Sequence, residues 1–113
     1  MSQSLNIIKN KSDEMPNNIE AEQSVIGSVL LTNEIFDEVS LVLSSKNFYD
    51  PIHRKIFEAL EKLIYGGLLA NPITLKNYFE NEKDDLNFPE YLVKITKFST
   101  SSRQSIEYSK LIY

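Results

Sequence analysis

From Ile19 to Leu30 apolar side chains recur at helical spacing: Ile19, Val25, Ile26, Val29 and Leu30 share one side, opposite a seam of small residues, Ala21, Ser24, Gly27 and Ser28. Pro16-Asn17-Asn18 precedes the run and supplies an asparagine able to cap a helix, while Glu20 and Glu22 suit the positive end of its dipole. Glycine inside a helix costs about 1 kcal/mol relative to alanine. Gly27 therefore implies the close approach of another backbone, from within the bundle or from a neighbouring subunit. After Thr32-Asn33 the pattern restarts over Glu34–Leu43 with Ile35, Phe36, Val39 and Val42. Ser44-Ser45-Lys46-Asn47 reads as a loop.

Asp50-Pro51 is a capping acid followed by proline at the first helical position, where no needed donor is lost. The helix it opens, Pro51 to Tyr65, carries a broad stripe of Ile52, Ile56, Phe57, Leu60, Leu63 and Ile64, with Arg54, Glu58, Glu61 and Lys62 on the other face. Gly66-Gly67 ends it by supplying the left-handed conformation favoured at helix C-termini. Asn71-Pro72 repeats the cap-and-proline device for a shorter helix through Leu75, Tyr78 and Phe79, and Glu80–Asn87 reads as a loop. Pro89 opens a fifth helix with Leu92 and Ile95 inward and Tyr91 and Phe98 nearer its margin. Thr100-Ser101-Ser102 breaks the chain before a last helix, about Arg103 to Tyr113, marked by Tyr108, Leu111 and Ile112.

No segment alternates with period two. The expected fold is all-α, a compact bundle of about six short helices with no β-sheet, joined by loops of roughly 2–8 residues. Residues 1–15, where Leu5, Ile7 and Ile8 sit among Ser, Asn and Lys, are expected to be a disordered tail ahead of a helical domain over 16–113. They lack the continuous apolar stretch of a secretory signal, and no apolar run approaches the roughly 20 residues a bilayer span needs. A cytoplasmic protein is expected.

Composition narrows the chemistry. The chain has 113 residues, 42% of them hydrophobic, which suits one domain with an ordinary core. It has no cysteine and one histidine, so a thiolate metal site is impossible and metal chemistry has little to build on. A net charge of −4, with Lys46, Arg54, Lys55, Lys62, Lys76, Lys94 and Lys97 scattered, disfavours direct contact with nucleic acid. Glycines at 27, 66 and 67 form no phosphate-cradling loop. A helix-turn-helix across Leu31-Thr32-Asn33 fails because its second helix carries Glu34, Asp37 and Glu38 and no base. Asp84 and Asp85 beside Glu80 and Glu82 lack the ligand spacing of a calcium loop.

His53 is the one candidate general base, with Asp50 in local reach. No nucleophile or oxyanion frame accompanies it. The expectation is an imidazole that bonds locally and fixes the Asp50-Pro51 corner. Phe48-Tyr49, just before that corner, is expected in the core. Tyr91 stands between a half-buried position and an exposed anchor for a partner.

Two segments resemble a known family. Ile19-Glu20-Ala21-Glu22-Gln23-Ser24-Val25-Ile26-Gly27 is similar to the opening helix of the N-terminal domain of bacterial hexameric replicative DNA helicases. Asn47-Phe48-Tyr49-Asp50-Pro51-Ile52-His53-Arg54-Lys55-Ile56-Phe57-Glu58-Ala59 is similar to that domain's second signature. Ile73-Thr74-Leu75 and Tyr91-Leu92 extend the likeness, which runs from about Pro16 to Tyr113. Asn87-Phe88-Pro89 stands where the family usually has Gly-Gly, so a different loop shape is expected there.

The resemblance implies the collar of a ring helicase over residues 16–113, with the motor domain absent. It implies a protein-interaction and oligomerisation module, not an enzyme, with no catalytic, cofactor or metal residues in this chain. ATP and Mg would belong to the missing motor, and DNA would be met through that motor alone. The implied partners are further copies of itself (a dimer, and a hexameric ring in the parent), primase and, as a further candidate, a helicase loader, with no membrane. By motif position, Glu20 and Tyr91 are the expected partner-facing residues. Two other classes stay open at this point: a stand-alone helical adaptor, and a small hydrolase using His53.

Overall fold

The computed structural model describes residues 18–81 and 89–113. These form α1 (Ile19–Leu31), a 3-10 turn (Asn33–Ile35), α2 (Phe36–Val42), a second 3-10 turn (Ser45–Asn47), α3 (Pro51–Tyr65), α4 (Pro72–Asn81), α5 (Pro89–Thr96) and α6 (Ser102–Ile112). The all-α expectation holds, with no strand among the described residues. The expected tail over 1–15 and most of the expected Glu80–Asn87 loop lie outside them.

The caps act as the sequence implies. Asn18 accepts the Ala21 N–H at 3.2 Å and Asp50 accepts the Ile52 N–H at 2.9 Å, so α1 and α3 each have an orphan donor satisfied. At the far end of α3, Gly67 takes a φ of 81°. Its N–H donates to the Ile64 carbonyl at 3.0 Å and that of Leu68 to the Leu63 carbonyl at 2.8 Å, the paired bonds of a Schellman stop.

α1 is the central element, buried almost all round, with α3 on one side and α5 and α6 on another. Its small-residue seam faces its own bundle, not a neighbouring subunit. A Cβ added at Gly27 would overlap the Ile95 carbonyl oxygen and come within 2.9 Å of the carbonyl carbon, so α5 lies backbone-to-backbone on α1 there. The two serines of the seam staple the segment after α5. Ser24 donates to the Phe98 carbonyl at 2.7 Å, and Ser28 accepts the Thr100 N–H at 2.8 Å.

Phe36, Phe48 and Phe57 meet at the core with centroid separations of 5.2 and 5.0 Å, and Ile56, Leu60, Leu75, Leu92 and Ile95 complete it. Three expectations need correction. Glu34–Leu43 is not one helix: Asn33 begins a tight turn because its amide is clamped to Ala70, accepting the Ala70 N–H at 2.8 Å and donating to its carbonyl at 2.9 Å. Glu80 is helical rather than the start of a loop, since α4 runs to Asn81. On α6, Leu111 is exposed, while Ser105 and Ser109 are fully buried against the bundle. Each serine donates to the carbonyl four residues back, at 2.9 Å, so its hydroxyl can be buried without an outside partner.

Candidate functional site

Glu22 lies in the first turn of α1 but in register with Val25, Ile26 and Val29, so the helix turns it inward; it is 1% exposed. A buried carboxylate must be bonded or it costs several kcal/mol. Here Oε2 accepts the Tyr49 N–H at 2.7 Å, and Oε1 accepts the Asp50 N–H at 3.4 Å and faces His53 Nδ1 at 2.7 Å. One acid on α1 thus holds the two residues that lead into α3 and a side chain of α3 itself.

His53 is 0% exposed and sits within the apolar stripe of α3, in register with Ile56, Phe57 and Leu60. Its ring meets Phe48 edge-on and stacks on Tyr91, with centroids 5.9 Å apart and planes 14° apart. Nε2 lies 2.6 Å from the Tyr91 hydroxyl, which also accepts from Gln23 Nε2 at 3.2 Å. Burial raises the Tyr91 pKa above the ordinary 10.0, helped by the nearby Asp50 and Glu22 charges and opposed by the Gln23 bond. The phenol therefore keeps its proton at neutral pH and can donate it to Nε2. Glu22 can only accept, so the tautomer that satisfies both ends carries its proton on Nδ1.

The result is a Glu22–His53–Tyr91 relay that ties α1, α3 and α5 together at one point. Both ring nitrogens of His53 are engaged and the ring is closed to solvent, so no free base is presented. Tyr91 is the hydroxyl at the imidazole, and its raised pKa is the opposite of what an activated nucleophile needs. The expected local bonding of His53 is not what forms, since its partners are Glu22 and Tyr91, 31 and 38 positions away. Asp50 spends its carboxylate on the cap, and the corner is fixed by Glu22 together with Arg54, whose Nε donates to the Phe48 carbonyl at 2.6 Å. Phe48 and Tyr49 part company: Phe48 is core, whereas Tyr49 is 56% exposed.

Of the two residues expected to face partners, Glu20 is exposed on the first turn of α1 and Tyr91 is half-buried on α5. Gln23 links them. It lines a groove of about 540 Å³ beside Glu20, between α1 and α6, and it bonds Tyr91 on its other side. Glu22 and Gln23 were not expected to belong to a site. Their signal was available for Glu22, a charged residue falling in step with buried aliphatics. Among the described residues no group of three or more His, Cys, Asp or Glu side chains is placed to hold a metal, and no helix is long and apolar enough to cross a membrane.

The family model of the DnaB-like helicase N terminal domain matches residues 14–113. The chain belongs to this family. Among curated relatives of this DnaB-like domain, the replicative DNA helicase DnaB of Rickettsia typhi is 38% identical over 117 residues, covering 96% of this chain and 24% of that protein. The Pasteurella multocida protein of the same name is 32% identical, covering 86% of this chain and 21% of its own length. The chain thus spans about a quarter or less of the curated relatives it matches. The crystal structure of the N-terminal domain of DnaB helicase from Mycobacterium tuberculosis superposes with a TM-score of 0.79 at 23% identity, covering 86% of this chain and 69% of that one, which establishes the fold.

Proposed function

We propose that this DnaB-like domain works as the collar of a replicative DNA helicase, a protein-interaction and oligomerisation module acting in DNA replication in the cytoplasm. Residues 16–113 are its folded unit, with 1–15 a tail. ATP hydrolysis and unwinding reside in a C-terminal motor, and the chain itself takes no ATP, Mg or other cofactor. Copies pair through the domain, and the assembled collar engages primase and a loader, with Glu20 and Tyr91 on the partner-facing side. The observation that carries this is the family match over nearly the whole chain, together with curated relatives that are replicative helicases four to five times longer.

The relay supports a scaffold over an enzyme. A hydrolase would need a reachable base, and His53 has both nitrogens occupied in a closed pocket. What the relay offers is a rigid seat for Tyr91, so a partner meeting it would lose little side-chain entropy on binding.

The test is binding, measured on the purified chain. Titrated with the matching primase, it is expected to bind, with Glu20→Ala and Tyr91→Ala each weakening the affinity about 5–30-fold, the range for a residue worth roughly 1–2 kcal/mol. Sedimentation is expected to show concentration-dependent dimerisation, and no ATP turnover should follow the purified chain. Unchanged affinity in both variants would remove the partner role from these residues, and a chain that stays monomeric and ignores primase would remove the collar role.

A further inference from the structure

Six large apolar side chains that the core does not take up collect at one end of the bundle. Leu31, Leu41, Tyr65, Leu68, Leu69 and Ile73 are each at least 61% exposed. Two ties bring them there. The Asn33 amide, clamped to Ala70, joins the end of α1, with Leu31, to the turn that carries Leu68 and Leu69 and to the start of α4, with Ile73. Tyr65, at the end of α3, sets its ring edge-on against Phe36 and donates its hydroxyl to Ser40 Oγ at 3.1 Å, which brings up Leu41 on α2. The sequence sets this end apart as well. Leu63–Leu75, thirteen positions, is the longest run in the chain without a charged residue or histidine. The next longest, Gln23–Asn33, ends at the clamp that closes on it. Gln23–Asn33 is for the most part a buried helix and needs no charge, but an exposed turn is where charge is normally kept to hold molecules apart.

We propose that this end is the face on which two copies of the chain pair about a two-fold axis. The proposal rests on the collar reading for the pairing itself and adds where it occurs. Each copy carries a net charge of −4, so two copies repel except where charge is absent. At a two-fold axis a surface meets itself, and any charge beside the axis opposes its own like. An uncharged surface is therefore what self-pairing requires. A partner recognised through charge would need acids or bases among the apolar side chains, and a lipid surface would need bases; Leu63–Leu75 supplies neither. The area is adequate too. At their exposure the six side chains offer about 700 Å², close to the roughly 800 Å² that each partner buries in a standard interface and more than a solitary protein usually leaves bare in one patch. Glu22 and His53 lie in the first turns of α1 and α3, at the other ends of the same helices. Pairing here leaves the Glu20 and Tyr91 side of the molecule for a different partner.

The test is self-association of the purified chain, followed by sedimentation equilibrium. The parent is expected to dimerise. Leu68→Asp with Leu69→Asp should weaken the dimer at least about tenfold, since the new acids face their own copies, and Leu68→Lys with Leu69→Lys should do the same. An equal mixture of the two double variants is expected to regain dimers, because each acid then meets a base; a merely damaged fold would not recover this way. An independent reading comes from Leu68→Cys, which places the only thiol in a chain without cysteine, joined by a short bismaleimide. Paired thiols sit at an effective concentration on the order of millimolar, so its crosslinked yield at micromolar protein should exceed that of the exposed Val93→Cys at least about fivefold. Where a thermal melt shows a double variant unfolded, the crosslink ratio decides. A parent that dimerises no better than both double variants, or a Val93→Cys yield as high as that of Leu68→Cys, overturns this face and leaves pairing in the collar standing. A parent monomeric at every concentration overturns both.

Discussion

α1 is held in two different ways on its two sides. Toward α3 and the first turn of α5 it uses polar side chains distant in sequence, Glu22 reaching His53 and the Tyr49 and Asp50 N–H groups, and Gln23 reaching Tyr91. Toward the end of α5 and toward α6 it relies on smallness: Gly27 lies against the Ile95 backbone, and α6 buries Ser105 and Ser109 with hydroxyls already bonded to their own helix. The first contact specifies one arrangement, because each buried polar atom is satisfied only if its particular partner arrives. The second permits close packing but names no partner. A chain that needs one fixed geometry at Tyr91 has placed its specific bonds there and its permissive packing elsewhere.

That contrast can be broken at graded strength. The largest effect is expected at Gly27→Val, where the new side chain meets the Ile95 backbone and neither helix can yield; a loss above about 3 kcal/mol in urea unfolding is anticipated. Next, Glu22→Ala strips acceptors from His53 and the Tyr49 N–H inside the core and should cost about 3 kcal/mol, with the Tyr49 and Asp50 amides losing protection in hydrogen exchange.

Tyr91→Phe removes one bond and should cost about 1 kcal/mol. It also has a pH signature. Because the folded state holds the Tyr91 proton more tightly than the unfolded chain does, the stabilisation is complete below pH about 10 and is lost as the pH rises through the folded-state value. Stability of the parent should therefore fall more steeply than that of Tyr91→Phe under alkaline titration. The smallest effect belongs to Ser105→Ala and Ser109→Ala, within about 0.5 kcal/mol, since alanine fits and each lost bond was local. A large loss at either serine would erase the distinction between the two sides.

How much of this was legible varied with the physics involved. α3 was read to its last residue because a cap, a proline and a glycine pair are local signals that act on their own neighbours. Phe48 as core followed from aromatic size. The relay was not readable, since Glu22, His53 and Tyr91 come together from 31 and 38 positions apart and nothing local records the pairing. Yet Glu22 and His53 each fall in step with an apolar stripe, and that alone requires them to be buried and therefore partnered. Tyr91 was singled out by its place at the margin of its stripe and by family likeness, and its role as the relay's outer end emerged from geometry. The serines of α6 were hidden because a buried small residue and a solvated one look alike in a sequence.

The position of α1 has a consequence for how the molecule is made. Of the described helices it leaves the ribosome first, and α5 and α6, whose surfaces cover it, emerge after the others. At about 5–20 residues per second, the roughly eighty residues between the end of α1 and the end of α6 take about 4–16 s to appear. Throughout that interval the nascent chain carries a helix whose permanent covering on two sides is still unmade, so α1 stays open to wrong partners until α6 has emerged.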